Sequence, residues 1–431
     1  MEKKKSLNIG NFGKGWIVII FSFIVFFFYG ALCQDSLNIL VPVYSANMNV
    51  SEGILFTLTS YAGIIAIFIH IALGQVLKRI GAKKTIAIAL VLGAIAFIVE
   101  AHTSSRVIFI IARAVLTGCT TNAAYVGCGT LVATYFPRLK GITMGYVTMG
   151  LNLNSAIIVA VLSALLAALG GIGKVSFVFA ICLVILAVIA MLVIKAEPTQ
   201  MGMYPDNVSE EVYKAEYVEM KDGDSSNYWT VKRLLKTPMV YSIAITTGIF
   251  GVCVNAVITN MVARNMEMGM TMSKAALMMT IIAIVGLVGS WGIGIIDEKL
   301  GTKRAMIVYG FIFFLAGLLN WIAGMTGAML PLYISIFGIG VGIGGASNFF
   351  TSLPCSVFGR RNFDQVQTVV FPMQSVLLAL GFLIVGLIRI ITNNNLMWIF
   401  FAAGILALAD IVLILILIKN ERMYNEDFIE G

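Results

Sequence analysis

Long hydrophobic runs separated by short polar loops dominate this chain of 431 residues. A run of about 18 or more apolar residues can cross a hydrocarbon core of about 30 Å as a helix. Twelve such runs can be drawn, at residues 16–43, 53–77, 85–103, 107–134, 142–169, 174–195, 238–262, 273–296, 305–325, 328–353, 366–390 and 396–418. The pattern therefore predicts an all-α membrane protein with twelve transmembrane helices, six before and six after one polar stretch.

A segment that follows span 2 recurs at the matching place in the second set of six spans. Residues 74–84 read GQVLKRIGAKK, and residues 294–304, about 220 positions later, read GIIDEKLGTKR. The recurrence predicts two pseudo-symmetric halves around a central cavity. Paired halves of this kind build alternating-access carriers, which hold their substrate between the halves near the membrane midplane.

The polar stretch divides the chain into four predicted parts. Residues 1–195 form an amino-terminal six-helix half, 196–237 a cytoplasmic linker, 238–418 a second six-helix half and 419–431 a cytoplasmic tail. Near the end of the linker, Trp229 and Leu234 alternate with Lys232 and Arg233, which is typical of a short helix lying on a membrane surface.

The charged residues indicate how the spans are oriented. Hydrophobic residues make up 59% of the chain and charged residues 12%, and the formal net charge is +8. Most Lys and Arg residues fall in alternate loops and at both ends, so the positive-inside rule predicts a multi-pass cell-membrane protein with cytoplasmic termini. The excess charge thus reflects topology and predicts no nucleic-acid partner. The six cysteines form no close pair and are expected to pack as small apolar residues.

On these residues the chain resembles the major facilitator superfamily along almost its whole length. The two glycine-and-basic loops are similar to that family's signature between spans 2 and 3. Residues 198–206, PTQMGMYPD, resemble the segment that many members carry after span 6. Residues 135–141, YFPRLKG, with Gly145 and Gly150, look like the oxalate/formate and monocarboxylate carriers.

The repeated loops are the predicted gating elements. Glycines keep the connections tight, while the cations can meet helix ends and lipid headgroups. The predicted gating residues are Gly74, Arg79, Gly81, Asp297, Glu298, Gly301 and Arg304. The first loop departs from the family pattern because Lys78 stands where an acidic residue is usual, so simple topology anchoring remains an alternative.

Charges inside a span are functional candidates because they are expensive in a membrane. Asp35 in span 1 and Arg113 in span 4 are expected at similar depth. The resemblance places these two spans side by side, which implies an ion pair that protonation of Asp35 would release. The alternative is that Asp35 is a solvated residue at the interface and that Arg113 serves packing. Glu100, Arg389 and Asp410 are expected to have interface or packing roles.

Uncharged polar residues of the cavity spans are the candidate substrate ligands. They are Gln34, Asn38, Tyr61, Asn122, Tyr125, Asn152, Asn154, Asn255, Ser347, Asn348 and Gln374. Hydrogen bonding between helices would explain each of them equally well. The oxalate-type carriers that the chain resembles use an arginine in span 8 and a lysine in span 11, and both are missing here. A monoanion, a zwitterion or a neutral solute therefore fits better than a dicarboxylate.

These features predict a monomeric secondary transporter of a small organic solute, most plausibly a carboxylate. Transport would be coupled to protons by symport or antiport, or would proceed by exchange. A proton-coupled multidrug or sugar-type carrier is the alternative within transport. A membrane enzyme or a non-transporting sensor is the alternative of another class, but the sequence has no nucleotide loop, HExxH motif or nucleophile elbow. No metal or cofactor is expected, and the partners are the solute, protons and membrane lipids.

Overall fold

The computed structural model describes residues 12–137, 139–214, 229–359, 363–420 and 423–424, and these ranges contain helices and loops but no β-strand. Twelve helices are long and apolar enough to cross a membrane. In chain order, α1 to α12 are Gly13–Asp35, Glu52–Ile80, Ala82–His102, Arg106–Tyr135, Thr143–Leu169, Ile172–Leu192, Pro238–Ile258, Met272–Leu300, Thr302–Thr326, Met329–Phe358, Gln365–Ile391 and Met397–Leu417. The predicted fold class and number of spans are confirmed.

Two of these helices contain a wider π-helical segment. Residues Ala31–Asp35 form one in α1, and Asn122–Cys128 form the other in α4. Beyond the first segment the chain continues as the helix Leu37–Met48, and a short helix, Met261–Glu267, follows α7. A π turn leaves backbone carbonyls outside the usual i→i−4 pattern and often marks a functional position. In α1 it rotates the face that the following residues present.

The helices pack as two groups that meet along two seams. Within the first group α1 packs on α5 and α3 packs on α6, while within the second α9 packs on both α10 and α12. Across the groups, α2 packs on α11 and α5 packs on α8. The seams are therefore made by the second and fifth helices of each group.

The bundle has two ends, which are named here by their loops. The basic face carries the turns at Gly81 and Gly301, and the opposite face carries the α1–α2 and α3–α4 connections. Gly81 has φ +84° and Gly301 has φ +89°, a backbone conformation that side chains with a Cβ adopt only with strain. Each of these glycines joins two long antiparallel helices through a single non-helical residue.

The two halves are closed against each other toward the opposite face. The Ser60 hydroxyl of α2 donates to the Ala379 carbonyl of α11 at 2.7 Å. Nearby, a Cβ placed on Gly386 would lie 2.6 Å from the Gly53 carbonyl oxygen, so the two backbones are in direct contact. On the other seam the Thr280 hydroxyl donates to the Ala156 carbonyl at 2.7 Å.

Toward the basic face, α2 is less buried than toward the opposite face. The buried residues of α2 lie between Gly53 and Ala66, apart from Leu73, and the remainder of the helix is exposed or half-buried. Phe68, for example, is 69% exposed. The most buried part of α2 therefore lies toward the opposite face.

The linker is anchored to both halves. The Tyr135 hydroxyl at the end of α4 donates to the Lys195 carbonyl, and an Asp206 carboxylate oxygen accepts from the Leu139 amide at 3.0 Å. The predicted surface helix is a single turn, Val231–Leu234. Trp229 is buried against the aromatic rings of Phe358 and Tyr424, rather than presented to a membrane.

Candidate functional site

Asp35 is a buried carboxylate at the contact between α1 and α5. Its side chain is 1% exposed. One carboxylate oxygen accepts from the Asn154 amide and from the Ser155 hydroxyl, the latter at 2.8 Å. The other oxygen has no hydrogen-bond partner among the described residues. Asp35 thus lies opposite the middle of α5 and is satisfied by neutral donors alone.

Arg113 does not pair with Asp35, so the predicted ion pair between them is wrong. Its guanidinium donates to the carbonyls of Leu32 and Cys33 at 2.9 and 3.1 Å, and it lies 3.4 Å from the Glu100 carboxylate. These carbonyls belong to the π-helical segment that ends at Asp35. Arg113 of α4 therefore contacts α1 at the level of Asp35, but it binds backbone carbonyls there and not the Asp35 carboxylate.

Glu100 is the residue that sequence reasoning missed at this site. It was expected at an interface or in packing, yet it is completely buried and forms an ion pair with Arg113. The Tyr44 hydroxyl lies near this carboxylate but forms no hydrogen bond among the described residues. The short connection between α3 and α4 places the end of α3, with Glu100, beside the start of α4, with Arg113. This short connection was the signal in the sequence from which the pair could have been predicted.

Asn38 links the two halves, a role different from the predicted contact with substrate. Its amide nitrogen donates to the Ile258 carbonyl at 2.7 Å, and its amide oxygen accepts from the Val262 amide at 3.1 Å. Both partners flank the break between α7 and the short helix that follows. Asn38 thus satisfies backbone groups exposed by the break and ties it to α1.

Tyr125 is the centre of an aromatic cluster at mid-depth. Its ring centroid lies 5.0 Å from Phe26, 5.4 Å from Tyr29 and 5.0 Å from Phe371 of the second half. His70 of α2 also contacts Phe371, at 5.4 Å. The cluster therefore joins the two halves at this level.

Several other predicted ligands bond to neighbouring helices. The Asn122 amide donates to the His70 carbonyl at 3.1 Å, and the Gln374 amide donates to the Thr247 hydroxyl at 2.7 Å. Asn348 both accepts from the Ser290 hydroxyl and donates to the Ser290 carbonyl. For these residues the structure supplies the interhelical role that the sequence left open.

The remaining predicted ligands differ in exposure. Tyr61 is 48% exposed and Asn255 is 7% exposed. Gln34 and Asn152 are half-buried, and Ser347 is exposed, with its hydroxyl bonded to the Gly344 carbonyl in its own helix. The structure thus brings Asp35 and Asn154 together but does not gather the whole predicted set at one point.

The predicted gating residues all lie at or near the basic face. Arg79, Glu298 and Arg304 are exposed, and the Asp297 carboxylate accepts from the Thr302 hydroxyl at 2.6 Å. Gly74 lies inside α2, where no atom comes within 4 Å of an added Cβ. The expected close helix approach at Gly74 is therefore absent in this conformation.

The buried cations of the described residues are all engaged. Arg113 is held as above, Arg264 pairs with Glu267 and Asn320, and Arg389 pairs with Glu52 and Asn260. The latter two lie toward the opposite face. Each of these guanidiniums thus already has a carboxylate partner, while the Arg113 Nε has no hydrogen-bond partner among the described residues.

Comparisons with known proteins agree on the architecture. A sequence profile described as Major Facilitator Superfamily matches residues 15–382. No curated protein sequence matches the chain. Among solved structures, a D-xylose–proton symporter is 15% identical, with a TM-score of 0.67 over 92% of this chain and 95% of that one.

Two further solved structures are similar in the same way. A nucleoside transporter, NupG, is 14% identical, with a TM-score of 0.68 over 94% of this chain and 99% of that one. A POT family transporter in complex with 5-aminolevulinic acid is 16% identical, with a TM-score of 0.64 over 94% and 95% of the two chains. At these identities the similarity establishes the fold alone.

Proposed function

Because the chain belongs to the Major Facilitator Superfamily, whose members are membrane transporters, we propose that it is a secondary active transporter that couples a small organic solute to protons. Solute would bind between the halves in alternation from the two sides of the membrane. The observation that carries the coupling is the burial of Asp35 between α1 and α5 with neutral donors alone.

Asp35 has the properties that a coupling carboxylate needs. In this conformation the Asn154 and Ser155 donors compensate a negative charge without a cation. Protonation of Asp35 would therefore release no arginine, unlike in the ion-pair mechanism predicted from the sequence. Movement of α5 relative to α1 would remove these donors and thereby favour the protonated acid. Proton binding and the movement of α5 are thus linked.

A neutral or zwitterionic polar solute is the class we favour. The three fully buried arginines are already paired, so the described residues offer no free cation to a carboxylate in the space between the halves. The half-buried amides of Gln34 and Asn152 and the rings around Tyr125 remain for recognition of such a solute. We therefore favour the sugar-type alternative over the carboxylate that the sequence suggested.

A carboxylate is the second candidate, and residues 135–150 support it. Part of that stretch, including Arg138, lies outside the described residues. A monoanion could be accompanied by a proton on Asp35, which would neutralise the pair during transport. The two candidates differ in whether the solute itself carries charge, and this difference is measurable.

Uptake into proteoliposomes under an imposed pH gradient tests the proposal across sugars, nucleosides, amino acids and monocarboxylates. We expect accumulation of an uncharged or zwitterionic solute by the wild-type protein. Asp35→Asn should abolish proton-driven accumulation and retain exchange of solute for solute. Ser163→Ala, a change at a half-buried position of the same helix whose hydroxyl donates to the Val159 carbonyl, is the control and should retain both. Full accumulation by Asp35→Asn would refute the coupling role, and accumulation of monocarboxylates alone would favour the second candidate.

A further inference from the structure

Asp410 is a buried carboxyl group that the transport mechanism above does not use. It lies within α12, away from the seams between the halves, and its side chain is 0% exposed. Neither carboxyl oxygen has a hydrogen-bond partner among the described residues. Asp35, by contrast, has two donors. The environment of Asp410 therefore gives a negative charge no compensation.

The groups that face Asp410 come from α7 and α9, and both are neutral acids in water. The Cys253 thiol and the Tyr309 hydroxyl are close enough to interact electrostatically with this carboxyl. Cys253 donates to the Ala403 carbonyl at 3.4 Å, and the Tyr309 hydroxyl has no partner among the described residues. The ionisable residue of α11 is Arg389, near the end of that helix, where Glu52 and Asn260 hold it. Among the described residues, no cation is bonded to Asp410.

The packing around this site is too close for a hydrated carboxylate. Helices α9 and α12 are packed together at Gly310, where an added Cβ would lie 3.4 Å from the Ala407 carbonyl oxygen, about one turn before Asp410. Beside Asp410, a Cβ on Gly310 would meet the Ile411 side chain at 2.8 Å. An unpaired carboxylate here would lose its hydration and gain nothing in return, so a group in this position takes up a proton instead.

A metal ion is a poorer occupant than a proton. Hard cations take about six to eight oxygen ligands, and Na⁺-like or Ca²⁺-like coordination would need many more oxygens than one carboxyl and one phenol. A proton requires no coordination shell. We propose that Asp410 is a second proton-binding site, located in the second half, which holds its proton while the opposite face is closed.

The position of α7 connects this site to closure. Cys253 lies one turn and a half before Ile258, whose carbonyl is held by Asn38 of the first half. Movement of α7 on opening of the opposite face would therefore disturb the packing over Asp410 and give its proton a way out. The site stands apart from Asp35 and does not depend on which carboxyl couples transport.

Infrared difference spectroscopy of the purified full-length protein tests this proposal. Subtracting the Asp410→Asn spectrum from the wild-type spectrum at neutral pH should leave the C=O stretch of a protonated carboxylic acid. Asp297→Asn is the matched control, because that carboxyl is half-exposed at the basic face, and the acid band of Asp410 should be unchanged in this variant. The Asp410 band should also shift slowly in heavy water, since the site is closed to solvent.

A second variant keeps the test open if Asp410→Asn does not fold. Asp410→Glu retains the acid and should move the band in frequency without removing it. Carboxylate bands in place of the acid band at neutral pH, in either comparison, would overturn the proposal. Loss of proton-driven transport in Asp35→Asn with an unchanged Asp410 band would show that the two sites are separate.

Discussion

Arg389, near the end of α11, and Glu52, at the start of α2, form an ion pair that joins the two halves at the opposite face. The same guanidinium donates twice to the Asn260 amide oxygen, at 3.0 and 2.7 Å, and lies over the Phe56 ring at 5.1 Å. One arginine thus contacts α2 and the end of α7 together. Its contacts with Glu52 and Phe56 depend on the halves being closed here, whereas Asn260 belongs to its own half.

Neutralising Glu52 should weaken closure of the opposite face. Glu52→Gln leaves the buried Arg389 charge without its carboxylate, and breaking a buried pair can cost about 3–5 kcal/mol. Because Glu52 is partly exposed, we expect a smaller effect here, of about 1–2 kcal/mol. The equilibrium should shift toward opening, measured as faster labelling of a cysteine at Thr57 by an impermeant reagent. Glu267→Gln is the control because its partner, Arg264, belongs to the same half. Equal labelling in both variants would contradict a gating role for Glu52.

Glu100 and Arg113 should behave as a unit in stability. Either single neutral substitution leaves a buried charge unpaired and should lower stability by about 3–5 kcal/mol. The double variant Glu100→Gln with Arg113→Gln should recover a large part of that loss in thermal unfolding of the purified protein. If Arg113 instead depended on Asp35, the rescue would come from pairing Arg113→Gln with Asp35→Asn.

The two turn glycines should be more sensitive than the glycine within α2. Gly81→Val and Gly301→Val place a β-branched residue at positive φ and extended ψ, a region that is essentially restricted to glycine, at a cost of about 1–3 kcal/mol at each position. We expect slower turnover with nearly unchanged solute affinity, measured by initial uptake rates and equilibrium binding. Gly74→Ala, where an added Cβ meets no atom, should be close to wild type. A loss of affinity without a loss of turnover would make these turns binding elements.

Orientation in the membrane is a separate prediction from the basic loops. Cysteine at Asn49, in the α1–α2 connection, should react with an impermeant reagent added to intact cells. Cysteine at Glu211, in the exposed part of the linker, should react only after the membrane is opened. The reverse pattern would mean that the termini lie outside the cytoplasm.

The helices were predictable from the sequence because each is a long apolar run. The contacts between them were not. Helical spacing gave the depth of Asp35 and Arg113, but the π-helical segment before Asp35 changes the direction in which its side chain points, and apolar periodicity does not reveal such a segment. Glu100, at the end of a run, looked like an interface residue because sequence distance from a helix end cannot show what covers it.

Contacts between the two halves could not be predicted from the sequence for a different reason. Asn38 bonds to residues 220 and 224 positions away, and Ser60 bonds across 319 positions. A single sequence offers no local signal for such pairs. The repeat predicted that two halves would meet, while the identity of the residues that meet depends on which conformation the protein adopts.

The wide turn at Ala31–Asp35 sets the orientation of two residues at once. Asp35 ends the segment and Asn38 follows it within one turn, so both inherit the same rotation of the helix. Deleting one residue from this turn would swing everything beyond it by about 100°. The Asp35 carboxyl would then lose its contact with α5, and the Asn38 amide would lose its contact with α7. The loss of one residue from this turn would therefore disrupt both proton binding and closure. Both functions thus depend on the length of the same turn.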